Sequence, residues 1–402
     1  MEEKAVTTFY QIKQQRSNLY LACLAAFICL MTIKLSYFVP TVLTMRTIYF
    51  FVKCLAAIIT LKFIILDDFS AKIKLLVTGI IIIFYFLAKK SLDSNIFYYA
   101  ILLIGAADVD FDKILKTYLL TVSISIFFIL FSCLTQMIPE QIVARSSQLH
   151  ISRLSLGFLT PTDLAARCFY LMAAYYAWRE LLLKNWEKVV FLLFTLLIFT
   201  LTNARLDLLM MLLLWFIGFK PSWFKNLITK LEFRGLAILT AIYICLNVSL
   251  AYFYDPHSSW FRILDRLLSS RLSLGNIALH QHGVPWFGQY VAEHSNGGLR
   301  VPTNYFYVDS SYIRLLVISG VIITIIVLTI IFYLLWKFCQ TKSYGLLAFL
   351  LLTLLSSAID QHLVEVSYNI VLLAAFATVT APKQPLTLYS PDSFNSFPLN
   401  YR

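Results

Sequence analysis

The sequence predicts an all-α polytopic integral membrane protein with about twelve transmembrane helices and both termini in the cytoplasm. Three observations lead there. Of 402 residues, 60% are hydrophobic and only 13% are charged, whereas charged residues supply roughly a quarter of a soluble domain. Apolar stretches of roughly 17 to 22 residues, enough to cross about 30 Å of hydrocarbon, recur along the chain. Lysines gather at alternate connections between them, as positively charged flanks retained in the cytoplasm do.

Taken in order, the predicted spans are residues 18–38, 47–66, 73–88, 96–108, 115–134, 164–183, 188–203, 205–219, 235–253, 312–336, 343–359 and 363–381. The fourth is short, and 188–219 reads equally as one broken hairpin. Lys4, Lys13 and Arg16 set the N-terminus inside. Lys72/Lys74, Lys113/Lys116, Lys184/Lys188, Lys220/Lys225/Lys230/Arg234, Lys337/Lys342 and Lys383 then fall on the same side. Of the opposing turns, one carries Arg46 and another the pair Lys89/Lys90, the clear exception. With no small-residue cleavage site behind it, the first span reads as an uncleaved signal-anchor.

The chain forms one integral membrane domain, 1–402, with two long polar segments expected outside. The smaller is 135–163. The larger, 254–311, lies between the ninth and tenth helices, and its apolar spacing predicts short surface helices at Ile263 to Leu268 and Leu272 to Leu279. Residues 293–298 have the composition of a flexible tip. The tail 383–402, with Pro385, Pro391 and Pro398 among Ser and Asn, reads as a disordered cytoplasmic end.

The net charge of +12 is accounted for by the lysines between spans, so nucleic acid is not an expected partner. All seven cysteines lie in or beside apolar spans without CxxC pairing, which points to packing and not to disulfides or zinc.

From Thr135 to Trp336 every predicted outward-facing cation is an arginine: Arg145, Arg153, Arg167, Arg205, Arg262, Arg266, Arg271, Arg300 and Arg314. Residues 254–311 hold no lysine at all. Guanidinium is a planar fork that grips phosphate at two points, whereas lysine is a point charge, so the set suits a pyrophosphate at the outer surface. Snorkelling arginines near lipid are the competing explanation for any one of them. Arg205 stands at a span boundary, beside Asp207, where an ionisable group marks a site by default.

His280 and His282 are the loop's candidates for a general base, with His294 and His362 on other outer segments. No third ligand at metal-site spacing accompanies the His-x-His pair, so no metal is expected. Asp309, before Ser310-Ser311-Tyr312, suits either a helix cap or a place in the site. Asp108-Val-Asp110-Phe-Asp112 resembles a nucleotide-sugar DxD only superficially, because it is predicted cytoplasmic beside Lys113 and Lys116. Trp260, Trp286 and Tyr290, with Tyr254, Tyr305 and Tyr307, suit stacking on sugar faces or a membrane-interface belt.

Several of these residues fall into a pattern that resembles the Wzy-type polysaccharide polymerases of the O-antigen polymerase and ligase superfamily. Arg153-Leu-Ser-Leu-Gly157-Phe158-Leu-Thr-Pro161-Thr looks like the family stretch of Arg, Gly-Phe and His-Pro-Asn, and Thr202-Asn-Ala-Arg205 like its Thr-x-Ser-Arg. Leu268-Ser-Ser-Arg271, followed by Trp286-Phe287-Gly288, is similar to Ser-x-Arg then Phe-Gly. Asp309-Ser-Ser-Tyr312 with Gly320 resembles the Asp-x-x-Tyr entry to the next span. The match covers roughly residues 110–335, and Thr160, Thr162 and Ala204 depart from it.

The resemblance implies a metal-independent glycosyltransferase, without cofactor, in a bacterial plasma membrane. It would join repeat units carried on polyprenyl pyrophosphate, with a flippase and a chain-length regulator as protein partners. In that frame Arg153, Arg205, Arg262, Arg266, Arg271 and Arg314 would hold the pyrophosphate, and His282, with His280 and Asp309 behind it, would activate the acceptor hydroxyl. A lipid-linked oligosaccharide flippase, another transporter, and a ligase of the same fold are the alternatives.

Overall fold

The computed structural model describes residues 2–145, 148–294 and 305–380. Most of the predicted loop tip, Arg300 and the tail 383–402 lie outside the described residues. The first helix, α1 (Glu2–Lys34), is followed by a single turn, α2 (Phe38–Thr41), and by α3 (Met45–Leu61), which widens into a π-helix at Lys62–Leu66. Next come α4 (Ala71–Ser91), α5 (Asn95–Gly105) and α6 (Phe111–Leu134). A hairpin of β1 (Ile142–Arg145) and β2 (Gln148–Leu154) leads to α7 (Pro161–Trp178), α8 (Asn185–Thr202), α9 (Arg205–Phe219) and α10 (Pro221–Tyr252). The late loop carries α11 (Ser259–Leu267) and α12 (Arg271–His282), and α13 (Ser311–Arg314), α14 (Val321–Gln340) and α15 (Tyr344–Ser356) follow.

Among the described residues, seven segments, in α1, α3 with its π-turn, α4, α6, α8, α10 and α14, are long and apolar enough to cross a membrane. The bundle is apolar outward: Leu75, Phe86, Ile124, Phe127 and Leu193 are exposed, while Arg167, Asp207, Lys62 and His362 are buried. A water-soluble protein has the opposite arrangement, because buried charge without partners costs several kcal/mol.

At the centre is α7. It packs against α6, α8, α9 and α15. Ala165, Ala166, Ala173, Ala174 and Ala177 are buried along it, and such small side chains let helix backbones approach closely. Thr160 starts the helix by accepting from the Asp163 N–H at 3.2 Å.

The structure corrects the predicted helix pattern in two places. First, 363–381, expected as the twelfth span, contains no α-helix over its described residues; its regular structure is a 3₁₀ turn at Val371–Ala375. The run is apolar because protein surrounds it: Leu363, Ile370, Val371, Leu373 and Ala374 are fully buried. Its carbonyls are satisfied by side chains, with Lys337 Nζ donating to Ala374 O at 2.7 Å and Ala377 O at 2.9 Å, and Asn369 Nδ2 to Leu363 O at 2.6 Å. Irregular backbone is tolerated at membrane depth only when buried in this way.

Second, the expected span 312–336 is interrupted by a π-segment, Leu315–Ser319, ending at Gly320. Gly320 has φ +89°, and a Cβ there would lie 2.3 Å from Gly288 N, so the chain must be glycine at this crossing. The smaller polar segment, outside the predicted helices, carries the short hairpin, in which β1 and β2 pair antiparallel, Ile142 with Leu154 and Val143 with Arg153. The 188–219 region is a hairpin of two helices, turned at Asn203 in the left-handed region, φ 48°.

Candidate functional site

The late loop docks on the turn that follows α15. The Ser311 N–H donates to Ser357 O at 2.9 Å and to Asp360 O at 3.1 Å, and its hydroxyl donates to Asp360 O as well. The Tyr307 hydroxyl donates to Gln361 Oε1. Arg271, the first residue of α12, donates from Nε to Ile359 O at 3.4 Å and from Nη1 to Ser269 O at 2.8 Å. One short turn, residues 357–363, therefore fixes the positions of both Arg271 and the segment bearing Asp309.

Those two side chains meet. Arg271 Nη2 lies 3.2 Å from Asp309 Oδ2. The contact is ionic without hydrogen-bond geometry at Oδ2, and the Tyr305 phenol is the carboxylate's hydrogen-bonding neighbour. Asp309 does not cap α13, whose N-cap is Ser310 and lacks a side-chain cap. Burial pushes its carboxyl up to about 6; Arg271 opposes the shift and Asp360 adds to it. Burial and then the charge of Asp309 push the nearby Tyr305 phenol up to about 12.

Behind this pair lies a buried ionic cluster. His362 Nδ1 is 2.5 Å from Glu365 Oε2, and its Nε2 is 3.2 Å from Asp360 Oδ1. With an acceptor at each ring nitrogen, the imidazole is held as the doubly protonated cation. Burial alone would lower its pKa, but Asp360 and Glu365 outweigh that and hold it at about 9. The ring stacks on Tyr368 with centroids 3.7 Å apart, and the Arg167 guanidinium lies 4.0 Å from the centroid of that same ring. Tyr368 donates to Asp163 Oδ1 at 3.3 Å, and Arg167 donates to Thr32 Oγ1 at 3.1 Å and Ser367 O at 3.2 Å.

Two earlier elements reach the cluster. Buried Asp207, in the first turn of α9, interacts electrostatically with Asp360, His362 and Arg153. Arg153, from β2, donates from Nε to Thr202 O at 2.7 Å, which ties the hairpin to the α8–α9 corner.

Of the sequence-predicted site residues the structure thus brings together Arg271 and Asp309, while Arg153 stands on the Asp207 side of the cluster. Arg314 is close by, but its fork is taken by Glu293 in a two-point ion pair of 2.7 and 2.9 Å. Arg205 starts α9 with an exposed side chain and makes no ion pair with Asp207. Arg262 and Arg266 are exposed on α11. His280 Nε2 lies 3.1 Å from the Tyr252 carbonyl, and the His282 ring lies against Phe306. Both histidines are at the far end of α12 from Arg271, about 14 to 17 Å away at 1.5 Å per residue. Trp260, Trp286 and Tyr290 are exposed.

Sequence reasoning missed Asp360, Glu365, Asp163 and Tyr368. The available signal was the close succession of Asp360, His362 and Glu365 heading an apolar run. Among the described residues, no group of three or more His, Cys, Asp or Glu is arranged to hold a metal. Comparison with known proteins finds no matching family model, no similar curated protein and no similar solved structure.

Proposed function

We propose that this membrane protein polymerises oligosaccharide repeat units carried on polyprenyl pyrophosphate, at the outer face of a bacterial plasma membrane. The observation that carries the reading is the Arg271–Asp309 pair: a phosphate-binding fork 3.2 Å from a buried carboxylate whose pKa is raised toward the working range of a base. The resemblance of residues 110–335 to the O-antigen polymerase and ligase superfamily supplies the substrate class.

In this reading a hydroxyl of the incoming unit attacks the anomeric carbon of the donor chain. The bond from that carbon to the pyrophosphate oxygen breaks, and its electron pair leaves with the polyprenyl pyrophosphate. Asp309 takes the hydroxyl proton, since a base must be ionised near working pH and within reach. Arg271, and Arg153 from the hairpin, stabilise the charge that grows on the leaving group. His362 is unsuited to the base role because both its nitrogens already face carboxylates. It serves instead as a fixed cation that holds the turn.

One observation favours a second reading, a lipid-linked oligosaccharide flippase. The break at Leu315–Gly320 and the irregular segment after α15 are discontinuities of the sort around which transporter sites form. The two readings separate in cells. A polymerase with Asp309→Asn leaves single lipid-linked units on the outer leaflet, whereas a disabled flippase leaves them inside.

A further inference from the structure

The helix α11 has one side held by protein and one side bare. Asp265 faces inward, where its Oδ1 accepts the N–H groups of Leu272 and Ser273 at 2.9 and 3.0 Å and so starts α12. Phe261 is buried beside it and packs on Tyr254. The rotation of α11 is therefore fixed. At 100° per residue, Ile263 and Leu267 share the opposite edge, exposed by 60 and 75%, and Trp260, 52% exposed with its ring stacked on Phe261, borders it. Arg262 and Arg266 are exposed along the flank of that edge, and neither makes an ion pair among the described residues. With Asp265 turned inward, the exposed charge of this helix is wholly positive.

The location supplies a second observation. Chain neighbours Tyr252 and Phe253, at the end of the membrane-spanning α10, are exposed aromatics of the kind found at headgroup level. Only a few residues separate them from α11, so its bare edge stands at the same boundary.

We propose that α11 docks on the bilayer surface, with Trp260, Ile263 and Leu267 inserted among the acyl-chain ends and Arg262 and Arg266 binding the phosphates of anionic phospholipids. These arginines then belong to the membrane and not to the substrate, and through Asp265 the docked helix holds Arg271 at a set height above the bilayer. An interfacial helix of this sort binds by apolar burial together with attraction to anionic lipid.

Hydrogen–deuterium exchange of the full-length protein in nanodiscs tests this. The discs are made of phosphatidylcholine alone or of phosphatidylcholine mixed with phosphatidylglycerol. Peptides covering α11 are expected to exchange about fivefold more slowly in the mixed discs, and Arg262→Gln/Arg266→Gln to remove the difference. Peptides from α7, at the centre of the bundle, are expected to be alike in all samples, which reports that the variant is folded. Equal exchange of α11 in both discs, or a difference that persists in the folded double variant, overturns the proposal. In a second arm, Trp260→Ser/Leu267→Ser is expected to speed α11 exchange in both discs, and unchanged exchange there also overturns it.

Discussion

Arg271 and Asp309 lie 3.2 Å apart, and each is held by the same turn, Arg271 through Ile359 O and Asp309 through its neighbour Ser311 bonded to Ser357 and Asp360. The residues are 38 positions apart in the loop, and neither is near the turn in sequence. Their meeting is a property of the tertiary structure.

Replacing the base should stop transfer without unfolding the protein. Asp309→Asn is expected to lower polymer formation by about 10²- to 10⁴-fold, the usual contribution of a positioned base. Because burial raises the Asp309 pKa to about 6, its ionisation is disfavoured by folding. The asparagine variant should therefore be no less thermally stable at neutral pH. Wild-type transfer should rise with pH through about 6, and a rate flat across that region would contradict the assignment.

Arginine at 271 should not be replaceable by lysine. The side chain divides its donors among Ile359 O, Ser269 O and Asp309. A lysine retains the charge but loses the planar fork. Arg271→Lys is expected to reduce transfer by at least about tenfold, measured as initial rate, with normal protein abundance.

Charge on His362 should appear as pH-dependent stability. Its folded pKa of about 9 lies above its ordinary 6.5, so the stabilisation is fully present below about 6.5 and is lost as pH rises through about 9. Thermal unfolding in detergent should show the melting temperature falling over that window. In His362→Gln the fall should largely disappear, and the variant should be less stable at pH 6.

Much of the fold was legible in the sequence, and the site only in part. Apolar run length located α1, α3, α4, α6, α8 and α14 because lipid contact and length leave a direct mark on composition. The segment after α15 was misread for a related reason: burial by protein and burial by lipid select the same apolar residues, so Leu363 to Ala377 resembled a span. Arg271 and Asp309 stood out as polar residues in a long loop between apolar runs. Their relation to Asp360 and Glu365 was hidden, since nothing local shows that a turn 50 residues further on receives the loop.

The Arg314–Glu293 pair is expected to be structural. Glu293 also accepts from the Val308 N–H at 2.9 Å, just before Asp309. Arg314→Met leaves that carboxylate without its cation, and should destabilise the protein by roughly 3 kcal/mol. Arg314→Met combined with Glu293→Gln should lose less, as read by thermal unfolding. An additive loss would indicate that the pair does not act as a unit.

Reconstitution tests the central claim most directly: the purified protein in vesicles with polyprenyl-pyrophosphate-linked oligosaccharide, and the glycan products resolved by length. The polymerase reading predicts a ladder of repeat units from the wild type and only single units from Asp309→Asn. Movement of the lipid-linked units across the vesicle membrane with no ladder, or a full ladder from Asp309→Asn, would contradict it.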